Sequence, residues 1–318
     1  MIKSKLRFDF REHVKSYKQL GQFILAPVSI FLFAYYLQDS SSFLKILDRK
    51  LINICLKSQN FYAVLALFFV GIYIESTRWK VLIASLEEVT TTKAIKAFFL
   101  GSFFGSFMPN RIGEFGGRLM VLKGQNQIKS IPINMVGGFI KFLVNVIFGL
   151  IGLLNIFIVY RHHYLQFLDA VWITNIGIIL LFVLLYFLKK NKFLWRRRLA
   201  YLKNISSTTL STAFLLSLFR YLVFTSQFIL LLNVFGLAKG IEPWRFVYVF
   251  YLFQTINPVA ALFDLGIRSA MAEVVFSPIY DNVESVLLTI SFLWVLNILV
   301  PAVVGGIFLL ANLFIKKK

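Results

Sequence analysis

Six stretches of roughly 18 residues or longer are predominantly apolar, at 20–37, 61–86, 131–160, 168–188, 209–235 and 286–315. A helix needs about 20 such residues to cross the hydrocarbon core of a bilayer, so each is predicted to be a transmembrane helix. Several run longer than the minimum, which allows tilt. Pro27 and Pro301 fall within spans and are expected to kink them. Two further apolar stretches, 94–108 and 246–256, are too short to cross, and each runs into a proline, Pro109 and Pro258.

Composition gives the same picture. The chain of 318 residues is 58% hydrophobic and 15% charged, against about 45–50% and about 25% in soluble domains. It lacks the polar surface to coat a soluble globule. The net charge of +20 would suit nucleic acid, but the basic residues lie between the apolar runs, where they set orientation and meet anionic headgroups. Nucleic acid is therefore not expected as a partner. Lys3, Lys5, Arg7, Arg11, Lys15 and Lys18 precede the first span, Lys93, Lys96, Lys123 and Lys129 follow the second, Arg196, Arg197 and Arg198 follow the fourth, and Lys316, Lys317 and Lys318 end the chain. Six crossings put all of these on one side, which predicts both termini in the cytoplasm of a multi-pass protein of the cell (inner or cytoplasmic) membrane. Residues 1–18 are expected to form a basic cytoplasmic or interfacial segment, and residues 19–318 a single polytopic domain. The run 20–37 exceeds a signal-peptide core and is expected to be retained. The lone Cys55 offers no disulfide partner, and His13, His162 and His163 lack companions for a metal site.

The two short apolar stretches lead into similar patterns. Pro109 is followed by Arg111, Gly113, Glu114 and Arg118; Pro258 is followed by Asp264, Gly266 and Arg268. Both read acid–apolar–Gly–x–Arg. A helix stub, a Pro/Gly break and a second short helix describe a re-entrant hairpin, and an acid and an arginine four apart share one helix face. The first hairpin follows a span ending inside, the second a span ending outside, so the two form an inverted repeat with halves at about 61–160 and 209–315. The predicted fold class is therefore an all-α integral membrane protein with about six transmembrane helices plus two re-entrant helical hairpins. Glu75, Arg78, Lys141, Arg220 and Gln227 lie inside spans, where ionisable groups face the bundle interior and mark a path or site. Two plainer readings stand beside this: Glu75 with Arg78 as a structural pair, and Arg111 with Arg118 as inside-flank charges.

The run Pro109-Asn110-Arg111-Ile112-Gly113-Glu114 with Arg118, after Arg78-Trp79, resembles the flippase-like family, the transmembrane region of lysylphosphatidylglycerol synthase. The run Asp264-Leu265-Gly266-Ile267-Arg268 is similar to that family's second glycine–arginine segment. It departs at Asp264, where glycine is usual, and at Ser269, where glutamate is. With no aminoacyl-transferase domain after the membrane region, the resemblance implies a stand-alone translocating half.

The function expected is a lipid translocase moving an anionic phospholipid or a polyprenyl-phosphate-linked lipid between leaflets. Arg111, Arg118 and Arg268 would hold the phosphate. Glu114 and Asp264 would position them or take an amine, and Arg78, Lys141 and Arg220 would line the path. The alternative is a non-transporting partner or regulator of a glycosyltransferase or lipid-modifying enzyme. An enzyme is not expected, since no nucleophile–base pair or soluble domain is visible. Nor is a cofactor or a metal. The expected partners are membrane lipids, together with a second copy of the chain or a lipid-synthesis enzyme.

Overall fold

The computed structural model describes residues 49–108, 111–164, 205–237, 240–257, 259–262, 264–280 and 283–315. The expected spans at 20–37 and 168–188 and the segment 1–18 lie outside the described residues. So do Pro27, the triple arginine and the terminal lysines.

Among the described residues all regular elements are helical. They are α1 (Arg49–Lys57), α2 (Gln59–Ile83), α3 (Thr91–Phe107), α4 (Gly113–Leu119), α5 (Asn126–Tyr164), α6 (Ser207–Val234), α7 (Glu242–Ile256), α8 (Leu265–Phe276), α9 (Glu284–Trp294) and α10 (Val300–Ile315), with a π-helical turn at Val295–Leu299 joining the last two. Four segments are long and apolar enough to cross a membrane: Gln59–Ile83, Asn126–Val159, Ser207–Val234 and Glu284–Ala311. They correspond to four of the six predicted spans, and the fold is that of a multi-pass helical membrane protein.

Local chemistry explains the boundaries. Ser206 caps α6, its hydroxyl accepting the Thr209 N–H at 3.1 Å, and Thr90 caps α3 through Lys93. These side chains satisfy donors a helix start leaves free. Pro301 cannot donate to the carbonyl one turn back, and the π turn sits immediately before it. Pro132 is the second residue of the predicted span, but α5 begins at Asn126, five residues before that span, which puts the proline in the second turn of the helix.

Helix α2 packs antiparallel on α6: Gln227 Nε2 donates to the Val64 carbonyl at 3.1 Å, and Gly71 lies against Val223. Helix α7 runs antiparallel to α5, with Leu252 against Gly149 and Tyr248 against Gly152. Helices α3 and α4 form an intimate pair. Gly113 abuts the Phe104 carbonyl and Gly117 that of Leu100, so any Cβ there would collide with backbone. Gly101 and Gly105 face back from α3 onto Arg118 and Glu114. Both helices thus carry glycines four apart, the spacing that lets backbones touch where lipid offers no hydrophobic drive. Gly305 on α10 closes on Phe99 in the same way. The second pair, α7 and α8, meets through side chains, with Phe276 beside Phe246 and Phe250. The ends of the two pairs touch: the Leu262 N–H donates to the Ser106 carbonyl at 3.1 Å.

Candidate functional site

Glu75 is buried to 1% exposure on α2 and gathers cations from four helices. Arg78, one turn along, donates to it through Nε at 3.1 Å and Nη2 at 2.7 Å. Its remaining Nη1 donates to the Gly137 carbonyl at 2.7 Å. Arg118 of α4 donates to Glu75 at 2.7 Å and to Glu114 at 3.2 Å. Arg220, midway along α6, lies 2.8 Å from Glu75, with Phe224 under its guanidinium at 4.9 Å. Lys141 of α5 stands 3.5 Å from both Glu75 and Glu114. Arg111 reaches Glu114 at 2.6 Å.

Five cationic side chains therefore surround two carboxylates, leaving an excess of three positive charges within the helical bundle. A buried charge without a partner is costly. The contacts of Arg111 Nε and Arg220 Nη1 are close but misaligned as hydrogen bonds, so these N–H groups point past their carboxylates. Arg111 also has φ of 55°, a left-handed conformation uncommon outside glycine. The sequence predicts a Pro/Gly break; α3 stops at Phe107, just ahead of Pro109, but the left-handed residue is Arg111, and Gly113 and Gly117 serve the close approach of helices.

One side of this cluster opens into a cavity of about 620 Å³. Arg111, Glu114, Lys141 and Arg220 line it on that side. Asp264 and Arg268, from the second helix pair, line it on the other, paired at 2.7 Å. Between them stand aromatic and uncharged polar groups, among them Tyr221, Tyr251, Gln254 and Asn257.

Of the eight residues singled out in the sequence, six line the cavity: Arg111, Glu114, Lys141, Arg220, Asp264 and Arg268. Arg78 and Arg118 do not. Both are buried behind the wall: Arg78 has all three guanidinium nitrogens bonded, and Arg118 holds Glu75 and Glu114 through Nη2 while its Nε has no partner among the described residues. Gln227, noted as an in-span polar group, ties α2 to α6 and accepts from Asn297 at 3.4 Å. Glu75 is legible in the sequence as a charge inside a span and as a structural partner of Arg78, a pair that forms at 2.7 Å. Its role as the hub comes from residues distant in sequence. Gln254 and Asn257 gave no signal beyond lying just ahead of a proline.

No protein-family model, curated protein or solved structure matches this chain. Among the described residues no cluster of histidine, cysteine and carboxylate side chains could hold a metal ion.

Proposed function

We propose that the protein is a membrane lipid translocase whose cavity takes the phosphate of an anionic lipid. The observation that carries this reading is a cluster with an excess of three positive charges that turns three of its cations, Arg111, Lys141 and Arg220, onto a cavity large enough for a headgroup. A phosphate offers acceptor oxygens and negative charge, the complement of misaligned guanidinium N–H groups and an ammonium. Lys141, Arg220 and Arg111 are the groups that meet it. Arg78 and Arg118 hold the carboxylates that keep them from repelling one another.

In this reading α3–α4 and α7–α8 are re-entrant hairpins of an inverted repeat, entering from opposite faces. Three features support it: these helices are shorter than a span, their ends touch at Leu262 and Ser106, and the cavity takes walls from both. Transporters place broken helices of inverted repeats around a midplane site in this way. The reading rests on this geometry, and the likeness of the motifs to the flippase-like family agrees with it. It expects both termini in the cytoplasm of a cell-membrane protein, with lipids as partners.

The test is translocation of fluorescently labelled phosphatidylglycerol in vesicles containing the purified protein, read as loss of inner-leaflet protection from a membrane-impermeant quencher. Protein-containing vesicles should exchange label faster than empty ones, and Lys141→Ala and Arg220→Ala should slow the exchange at least tenfold. Exchange no faster than in empty vesicles, or undiminished in both variants, refutes the reading.

A further inference from the structure

The side of the cavity opposite the cationic cluster carries a different chemistry. Four of its polar atoms are buried without a hydrogen-bond partner among the described residues: Gln254 Oε1, Asn257 Nδ2, Asp264 Oδ1 and Arg268 Nε. All four come from α7, α8 and the segment between them. Buried polar groups are nearly always paired, so a set of orphans facing one cavity marks a place where something else supplies the partners. The Asn257 amide has a settled orientation, because its Oδ1 accepts the Val259 N–H at 3.1 Å. Its Nδ2 is thereby left as the free donor. Gln254 Nε2 is spent on the Met271 sulfur at 3.4 Å, leaving Oε1 as the free acceptor.

The set has two acceptors and two donors. Its charged members, Asp264 and Arg268, cancel each other across 2.7 Å. A phosphate does not fit, since it has acceptors only and Asp264 would repel it. An ammonium does not fit either, since it has donors only and Arg268 and the neighbouring cations would repel it. A hydroxyl both donates and accepts and carries no charge, so a group bearing several hydroxyls can satisfy all four atoms. The walls suit such a group: Tyr221 and Tyr251 meet edge to face there, ring centroids 6.0 Å apart, and the Tyr221 hydroxyl, also buried without a partner among the described residues, can both donate and accept.

We infer that the cavity is a two-part site, with phosphate at Lys141 and Arg220 and a hydroxyl-rich, uncharged headgroup at Gln254, Asn257, Asp264 and Arg268. The ligand is then a lipid whose phosphate is esterified to a sugar or polyol. This rests on the phosphate-binding reading above and adds the headgroup to it.

The experiment measures binding of four lipids to the purified protein in detergent: phosphatidic acid, phosphatidylethanolamine, phosphatidylinositol and a glucosyl phosphoryl polyprenol. The two hydroxyl-bearing lipids should bind at least tenfold tighter than phosphatidic acid, and which of them is tighter separates polyol from sugar. Asn257→Ala and Asp264→Asn should each weaken the hydroxyl-bearing lipids about tenfold more than they weaken phosphatidic acid. Phosphatidic-acid affinity in the same preparations then reports whether each variant is folded. Equal affinity for phosphatidic acid and the hydroxyl-bearing lipids overturns the headgroup assignment while leaving the phosphate site standing. Tightest binding of phosphatidylethanolamine overturns it in favour of an amine. Binding of none of the four overturns the phosphate reading itself.

Discussion

Replacing Glu75 by glutamine keeps the shape of the side chain and removes the one charge that three guanidiniums and an ammonium share. The contacts Glu75 accepts, from Arg78 at 3.1 and 2.7 Å, Arg118 at 2.7 Å, Arg220 at 2.8 Å and Lys141 at 3.5 Å, all lose their charge, and those to the oxygen replaced by an amide NH2 become donor against donor. Five cations would then face Glu114 alone. Breaking a single buried pair by removing one partner costs about 3–5 kcal/mol, because the other charge stays buried without compensation. Here several charges are stranded at once, so that range is a lower bound. It is a large part of a net stability of roughly 5–15 kcal/mol. With about 2–4 °C of melting temperature per kcal/mol for a chain of this size, Glu75→Gln should melt at least about 6 °C below the parent protein in detergent. The double variant Glu75→Gln, Arg78→Met removes an anion together with a cation, and Arg78 is fully engaged with this carboxylate and Gly137. It should recover about 1–3 kcal/mol relative to the sum of the single changes. A Glu75→Gln protein melting within about 2 °C of the parent, or strict additivity in the double variant, refutes the hub.

Two adjacent glycines make a paired test of the α3–α4 contact. Gly117→Ala forces a Cβ into the Leu100 backbone and should destabilise by at least the ~1–3 kcal/mol of overpacking, whereas Gly116→Ala meets nothing within 4 Å and should be neutral or gain up to about 1 kcal/mol of helix propensity; melting curves that treat the two alike would refute the backbone contact. Asn134 accepts the buried Trp79 indole N–H at 3.0 Å, so Asn134→Leu should cost about 1–3 kcal/mol, again read by melting. Outside the spans, Glu87 accepts the Lys123 backbone N–H at 3.1 Å, and this bond, aided by Asn126 and opposed by partial burial, holds its carboxyl below the usual 4.5. A carboxyl lowered on folding contributes stability above its unfolded value that is lost as pH falls through its folded value. The melting difference between the parent and Glu87→Gln should therefore be present at pH 7 and shrink as the pH falls below 4.5; a difference that does not shrink on acidification would refute the assignment.

The spans were legible because lipid imposes a one-dimensional rule. Every buried backbone group must be paired within its own helix, so length and hydropathy suffice to find α2, α5, α6 and the α9–α10 rod. The short stretches were also legible, since Thr91–Phe107 and Glu242–Ile256 stop where prolines had been noted. The hub was not. Its partners lie on α2, α4, α5 and α6, and pairing at such separations is decided by helix packing. Local spacing captured Arg118 with Glu114 and Arg268 with Asp264, because four residues make one helical turn. It could not show that Arg118 is turned toward Glu75, away from the cavity. The glycine spacing at 101 and 105, and at 113 and 117, was present in the sequence as a helix-contact signal. Near Pro109, the glycines at 113 and 117 read first as a chain break, which masks that signal.

The imbalance of charge follows from what the two carboxylates can and cannot do. A network of equal charges would close on itself, satisfied and of no use to a ligand. Removing the carboxylates would leave the cations to repel one another in a medium that screens poorly. Glu75 and Glu114 sit between these limits. They share their four oxygens among five cations, and Arg78 and Arg118, deepest in the wall, take the aligned contacts. Arg111, Lys141 and Arg220, nearer the cavity, keep close but misaligned or longer ones. The inner cations fix the carboxylates in place, and the carboxylates in turn keep the outer cations tolerable but incompletely neutralised. An anion entering the cavity would complete a coordination that the protein has left partial, which is the physical basis for placing recognition at Lys141 and Arg220 and structural support at Arg78 and Arg118.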